Sequence, residues 1–218
     1  MRSRGRGRFV VLEGLDGAGT TTQARLLGER LRAEGRRVHV TAEPSPGPVG
    51  ALVRQVLMGR VAGRDGGPFD AHALALLFAA DRLDHAASDV VPRLAAGVDV
   101  VSDRYALSSL AYQGITTGDL RWVEAVNARA PAPDVTLLLR ARPVVTLRRR
   151  RSASLDRELY EVAAFQRRVA LGYDRAAARL RRVGQRVEVI DGEAPVEEVA
   201  EAVWAVVSGL GRSPRRAR

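Results

Sequence analysis

Near the N-terminus, Gly14-Leu15-Asp16-Gly17-Ala18-Gly19-Thr20-Thr21 sets Gly14 and Gly19 around a four-residue spacer and follows them with two hydroxyl side chains. The phosphate-binding template G-x-x-x-x-G-K-[S/T] is met here except at lysine, which Thr20 replaces. Glycines let successive backbone N–H groups turn inward as an anion nest, and a following helix N-terminus adds partial positive charge. Thr21 can offer its hydroxyl to a divalent cation, and Thr22 continues the same polar run. A glycine-rich turn between a strand and a helix would show the same glycines, so the loop has to be judged with the rest of the chain.

Other groups recur at chemically useful spacing. Phe78 and Arg82 are four apart, one above the other on a helix face. An aromatic plane there can stack on a base and a guanidinium can reach its edge; a core phenylalanine beside a surface arginine is the plainer alternative. Arg104 follows an apolar run, on the side of a sheet where a forked donor suits a phosphate. Its alternative is a structural pair with Asp103. Asp16 lies inside the glycine loop, placed either to meet a nucleotide or to stabilise the turn. Arg148-Arg149-Arg150-Arg151 closes a helical stretch just before Ser152 and Ser154. Such a cluster can close over phosphates or simply end a helix in solvent. His39, His72 and His85 show no metal-ligand spacing and are expected to be structural.

The elements that must carry these groups alternate. Strands are expected at 9–13, 37–41, 98–102, 135–139 and 187–190, all short and mostly apolar. Helices are expected at 20–34, 49–58, 69–96 (broken near Pro92), 105–113, 119–130, 144–150, 157–183 and 195–207. Apolar strands alternating with helices imply an α/β fold, a five-stranded parallel sheet with helices on both faces, with ligands at the carboxyl ends of the strands. The globular body is expected over 9–209, between basic tails at 1–8 and 210–218.

The chain has 218 residues, 46 % of them apolar, which suffices for one cored domain. No run of 18 apolar residues predicts a membrane span, and cysteine is absent, as suits a reducing cytoplasm. The net charge of +10 first suggests nucleic acid, but residues 1–8 and 212–218 carry eight arginines and no acid. Without those eight the body holds 27 basic against 25 acidic residues, which argues against a nucleic-acid surface. All 35 basic residues are arginine; the chain has no lysine at all.

Glu13-Gly14-Leu15-Asp16-Gly17-Ala18-Gly19, with Thr21-Thr22-Gln23, closely resembles the opening of bacterial thymidylate kinases. Leu77-Phe78-Ala79-Ala80-Asp81-Arg82, Ser102-Asp103-Arg104-Tyr105 with Ala111-Tyr112-Gln113-Gly114, and Leu155-Asp156-Arg157-Glu158 match the same family in order. The resemblance implies a three-layer P-loop fold, ATP as donor, Mg²⁺ on Thr21, dTMP as acceptor and a homodimer formed through helices beside the sheet. It implies that Phe78 and Arg82 contact thymine, that Arg104 grips phosphate, and that Asp16 sits near the acceptor's sugar and phosphate. Glu43, Ser108, Ser109, Tyr112 and Gln113 would complete the acceptor pocket, with Tyr112 disfavouring a 2′-hydroxyl. A lid at about 148–157 would supply the catalytic arginines, Arg148 and Arg150 especially, as in relatives with glycine at the position of Gly17. Two departures stand out: Thr20 for lysine, and Ala42 where relatives carry arginine before Glu-Pro. They keep two alternatives in view, a catalytically impaired nucleotide binder and a kinase for another nucleoside monophosphate; the arginine tails keep a third, a nucleic-acid binder acting through them.

Overall fold

The computed structural model describes residues 5–150 and 156–211, with backbone alone at 150 and 156–162. Strands β1 (Phe9–Gly14), β2 (Val38–Ala42), β3 (Asp99–Asp103), β4 (Val135–Arg140) and β5 (Val187–Asp191) form one parallel sheet in the order β2-β3-β1-β4-β5. The helices are α1 (Thr20–Ala33), α2 (Pro48–Leu57), α3 (Ala71–His85), α4 (Val91–Ala95), α5 (Ala106–Thr116), α6 (Leu120–Asn127), α7 (Pro143–Arg150), α8 (Asp156–Arg182) and α9 (Val196–Ser208). All five expected strands are present, each within a residue of its expected ends.

Side-chain alternation along β1 decides what each face meets. Val10 and Leu12 join Ala24, Leu27 and Leu31 of α1 and Val199, Val203 and Val207 of α9 in one core cluster. Phe9 and Val11 point the other way and pack with Val90, Leu94 and Tyr105. Glu13 has the same parity as Phe9 and Val11 and is fully buried, so a carboxyl enters a face made for apolar groups. The connection leaving β1 runs to β2 on one side and that leaving β3 runs to β4 on the other, so the crossovers diverge at their carboxyl ends, and the crevice that opens there is where the glycine loop begins.

Local signals explain the helix ends. Asp70 caps α3 through Ala73 N–H at 2.8 Å, and Asp119 caps α6 through Trp122 N–H at 2.9 Å. The expected break near Pro92 takes a different form. A wide π turn at Ala86–Val90, with Val91 N–H bonded to Ala86 O, carries the helix direction on into α4. Proline has no N–H to give to the ladder, and the widened turn just before it absorbs that loss.

The expected N-terminal tail is corrected in part. Gly7 N–H bonds Leu94 O, Arg6 pairs with Asp134 at 2.9 Å, and Arg8 pairs with Asp99 at 2.9 Å while only 5 % exposed. These two arginines meet carboxylates at the amino ends of the strands beside β1 and belong to the folded body. Residues 1–4 and 212–218, where the remaining tail arginines fall, lie outside the described residues.

Candidate active site

Between β1 and α1 the backbone turns through Gly17 at φ 90° and Gly19 at φ 96°, conformations that disfavour any residue with a Cβ. Gly19 is the N-cap of α1 and no side chain caps its first turn, which leaves the helix N-terminus open to an anion. A cavity of about 980 Å³ opens above it, lined by Asp16, Gly17, Ala18, Gly19, Thr20, Thr21 and Thr22. Gly14 and Leu15 sit behind this surface: Gly14 ends β1, and Leu15 is buried in the core with Leu107 and Leu138. The far wall is the turn after β5, Gly192 to Val196.

Thr20 is 6 % exposed and neutral. Cationic groups reach the same cavity as Arg104 and Arg149. Arg149 donates to Gly192 O at 2.7 Å and Glu193 O at 3.2 Å, on a turn held to α7's entry by the Arg142–Glu193 pair at 2.7 Å. This alters the expectation for the arginine run. Arg148 is exposed and does not line the cavity, the side chain of Arg150 is not described, and lid positions 151–155 lie outside the described residues. Of the two arginines whose side chains are described, helix phase sets Arg149 and not Arg148 at the cavity, since neighbours on a helix point about 100° apart. Nothing in four consecutive arginines marks which one faces inward.

Thr21 donates its hydroxyl to Asp103 Oδ2, while Asp103 Oδ1 is buried with no hydrogen-bond partner. A hydroxyl beside an unsatisfied carboxylate oxygen is a hard-oxygen donor set of the kind that suits Mg²⁺. Among the described residues no group of three or more His, Asp or Glu forms a metal cluster.

A second cavity, of about 290 Å³, joins the first through Asp16 and Arg104. It is lined by Glu43, Phe78, Arg82, Ser108, Ser109, Tyr112 and Gln113, so every acceptor-side residue expected from the sequence converges on one small chamber. Phe78 is half-buried, one turn before Arg82. Arg82 is not a surface residue: it is 1 % exposed, ion-paired to Glu43 at 2.7 Å, and donates to Ser109 Oγ at 3.0 Å and to Asn127 Oδ1. Asp81 holds the loop that carries Glu43, accepting from Ser45 N–H at 2.7 Å.

Arg104 adopts φ 72°, a left-handed backbone that strains a side-chain-bearing residue. Several bonds over-determine it. Its N–H bonds Leu12 O at 2.8 Å, and Ser102 Oγ donates to its carbonyl at 2.7 Å. Its guanidinium spans Asp16 Oδ1 at 2.5 Å, Tyr173 Oη at 3.1 Å and Ser108 Oγ at 3.2 Å. The pair with Asp103 considered from the sequence is replaced by one with Asp16.

Glu13 lies beneath this cluster. Its carboxyl accepts from Tyr105 N–H at 2.8 Å, Ser108 N–H at 3.1 Å and Ser108 Oγ. Burial pushes its pKa up to about 7, against the opposing Ser108 hydrogen bond and Arg104 charge. Burial works against the charge of Arg104, but Tyr173, Tyr112, Asp16 and Glu13 outweigh it and raise its pKa above the ordinary value. Glu13, Asp103, Asn127, Arg149 and Tyr173 were not identified from the sequence as site residues. For Glu13 a signal existed, an acid at a covered position of an apolar strand; for Tyr173 there was none.

The family model for thymidylate kinase matches residues 12–203. The thymidylate kinase of Thermomicrobium roseum is 40 % identical over 214 residues, covering 95 % of this chain and 98 % of that protein. A protein of Pyrococcus abyssi named "Probable thymidylate kinase" is 38 % identical over 202 residues, 93 % of this chain and 96 % of its own. One of the same name from Thermococcus kodakarensis is 37 % identical over 204 residues, 93 % and 98 % respectively. Among the described residues no helix is long and apolar enough to cross a membrane.

Proposed function

Because the chain belongs to the thymidylate kinase family, we propose that it transfers the γ-phosphoryl group of ATP to dTMP, releasing ADP and dTDP. The observation that carries this is the pair of adjoining cavities. One is built on a phosphate loop, the other is a small chamber with an aromatic wall, and Asp16 and Arg104 are shared between them.

A phosphate oxygen of dTMP attacks the γ-phosphorus as the bond to the bridging oxygen of ADP breaks. No covalent enzyme intermediate is needed, so catalysis is positioning and charge neutralisation. Phe78 stacks on the base and Arg82 and Gln113 meet its edge. Tyr112, with its ring 6.0 Å from that of Tyr173, forms the wall beside the sugar. Arg104 grips the acceptor phosphate and turns it toward the donor. Glu43, Ser108 and Ser109 fix the arginines rather than the nucleotide, as their hydrogen bonds suggest. On the donor side, the N–H groups around Gly17 to Thr22 hold the ATP phosphates. Thr21 and Asp103 would hold Mg²⁺, which neutralises phosphate charge when bound. Arg149 supplies the cation that Thr20 cannot, while Arg148, its neighbour on α7, stays outside the cavity.

Exposed Leu52, Leu76 and Leu83 on α2 and α3 support the homodimer through helices beside the sheet. Both nucleotides are cytoplasmic metabolites, and the reaction is assigned to that compartment. The test is a coupled ADP-release assay across dTMP, dUMP, UMP, CMP and AMP. Highest kcat/KM with dTMP is expected. Preference for another acceptor would overturn the substrate, and tight binding of dTMP and ATP with no turnover would overturn the reaction.

A further inference from the structure

His85 has a role that neither the phosphate loop nor the acceptor contacts require. It is 3 % exposed at the end of α3, three residues after Arg82 and on the same helix face. Both residues reach one carboxylate. Arg82 Nε and Nη2 donate to Glu43 Oε2 at 2.9 and 2.7 Å, and His85 Nδ1 lies 3.2 Å from Glu43 Oε1. A carboxylate only accepts, so Nδ1 carries the proton in that bond. Nε2 is hydrogen-bonded to Thr41 Oγ1 at 2.8 Å, which holds the ring from its other side. Asp89 Oδ2, at 3.7 Å from Nε2, is beyond hydrogen-bond reach.

Glu43 is 5 % exposed, and a carboxylate so deeply buried keeps one orientation only while both oxygens are engaged. Its orientation fixes that of Arg82, whose other arm is spent on Ser109 and Asn127. Of the five guanidinium N–H groups, these partners leave one on Nη2 for a ligand. We propose that His85 is a positioning residue for the acceptor: by holding Glu43 it orients Arg82 at the floor of the chamber beneath the base. The inference rests on dTMP occupying that chamber. Neither His85 nor Glu43 lines the donor cavity, so the effect should fall on the acceptor alone.

The test is steady-state kinetics of full-length His85→Leu and His85→Asn. Leucine keeps the bulk and removes both nitrogens, whereas the asparagine amide can stand close to the place of Nδ1 and donate to Glu43. His85→Leu should raise KM for dTMP about tenfold, with kcat and KM for ATP within about twofold, the pattern of lost uniform binding. His85→Asn should recover most of the dTMP KM. The proposal is overturned by an unchanged dTMP KM in His85→Leu, by equal rises in both KM values, or by no recovery with asparagine. Should His85→Leu fail to fold, Thr41→Val carries the test: it frees Nε2 and should raise the dTMP KM alone by about threefold, and no change refutes the proposal. Wild-type protein that does not turn over dTMP would overturn the parent assignment, a result distinct from any of these.

Discussion

Replacing Glu13 by glutamine tests the electrostatics beneath the site. The carboxyl is fully buried, and burial moves its pKa from 4.5 to about 7. Between those values the folded protein retains a proton that the unfolded chain has released, so stability falls as pH rises. At about 1.4 kcal/mol for each pH unit, the loss attributable to this one group is about 3 kcal/mol, complete a little above pH 7. Glutamine resembles the protonated form. Its carbonyl can still accept from Tyr105 and Ser108, and it has no charge to gain. Urea unfolding of both proteins from about pH 4.5 to 8 should show the wild type losing about 3 kcal/mol relative to Glu13→Gln across the interval, with no further divergence above it. Parallel stability curves, or a wild type that gains on the variant as pH rises, would refute the argument and imply that Arg104 and Ser108 hold Glu13 ionised throughout.

Three further outcomes are expected. Phe78→Ala should weaken dTMP by about 1–3 kcal/mol and leave ATP unchanged in a titration of each nucleotide, whereas equal losses would mark a core residue. Arg104→Lys should reduce kcat/KM for dTMP by about 2–3 kcal/mol, because an ammonium cannot span Asp16, Tyr173 and a phosphate together; near-normal kinetics would remove Arg104 from the site. Arg149→Ala should lower kcat at least about tenfold, more than Arg148→Ala does, and Thr20→Lys should restore part of the loss. Failure of that rescue, or a larger effect at Arg148, would show that the missing lysine is compensated elsewhere.

Much of this was legible in one dimension because it depends on near neighbours. Strands and helices follow from the period of apolar residues, and the glycine loop from backbone conformations that few residues other than glycine accept. Phe78 and Arg82 lie one helical turn apart, so spacing alone put the pair on one face. What depends on the approach of distant segments was not. The sheet order sets β1 beside β3, which brings Asp103 to Thr21 and the Arg104 guanidinium to Asp16. Arg6 and Arg8 were assigned to a free tail because the partners that claim them, Asp134 and Asp99, come from the far side of the chain. Only the phase of α7 against the turn after β5 brought Arg149 rather than Arg148 to the cavity. His85, one more polar residue on a long helix by its sequence, gains its part from a carboxylate on the loop after β2. Short-range stereochemistry is written residue by residue, and so the sequence by itself determined the elements, the loop and the family of chemistry. Which charge meets which across the crevice was decided by the tertiary structure, since hydrogen bonds act over about 3 Å between residues that the chain alone holds far apart.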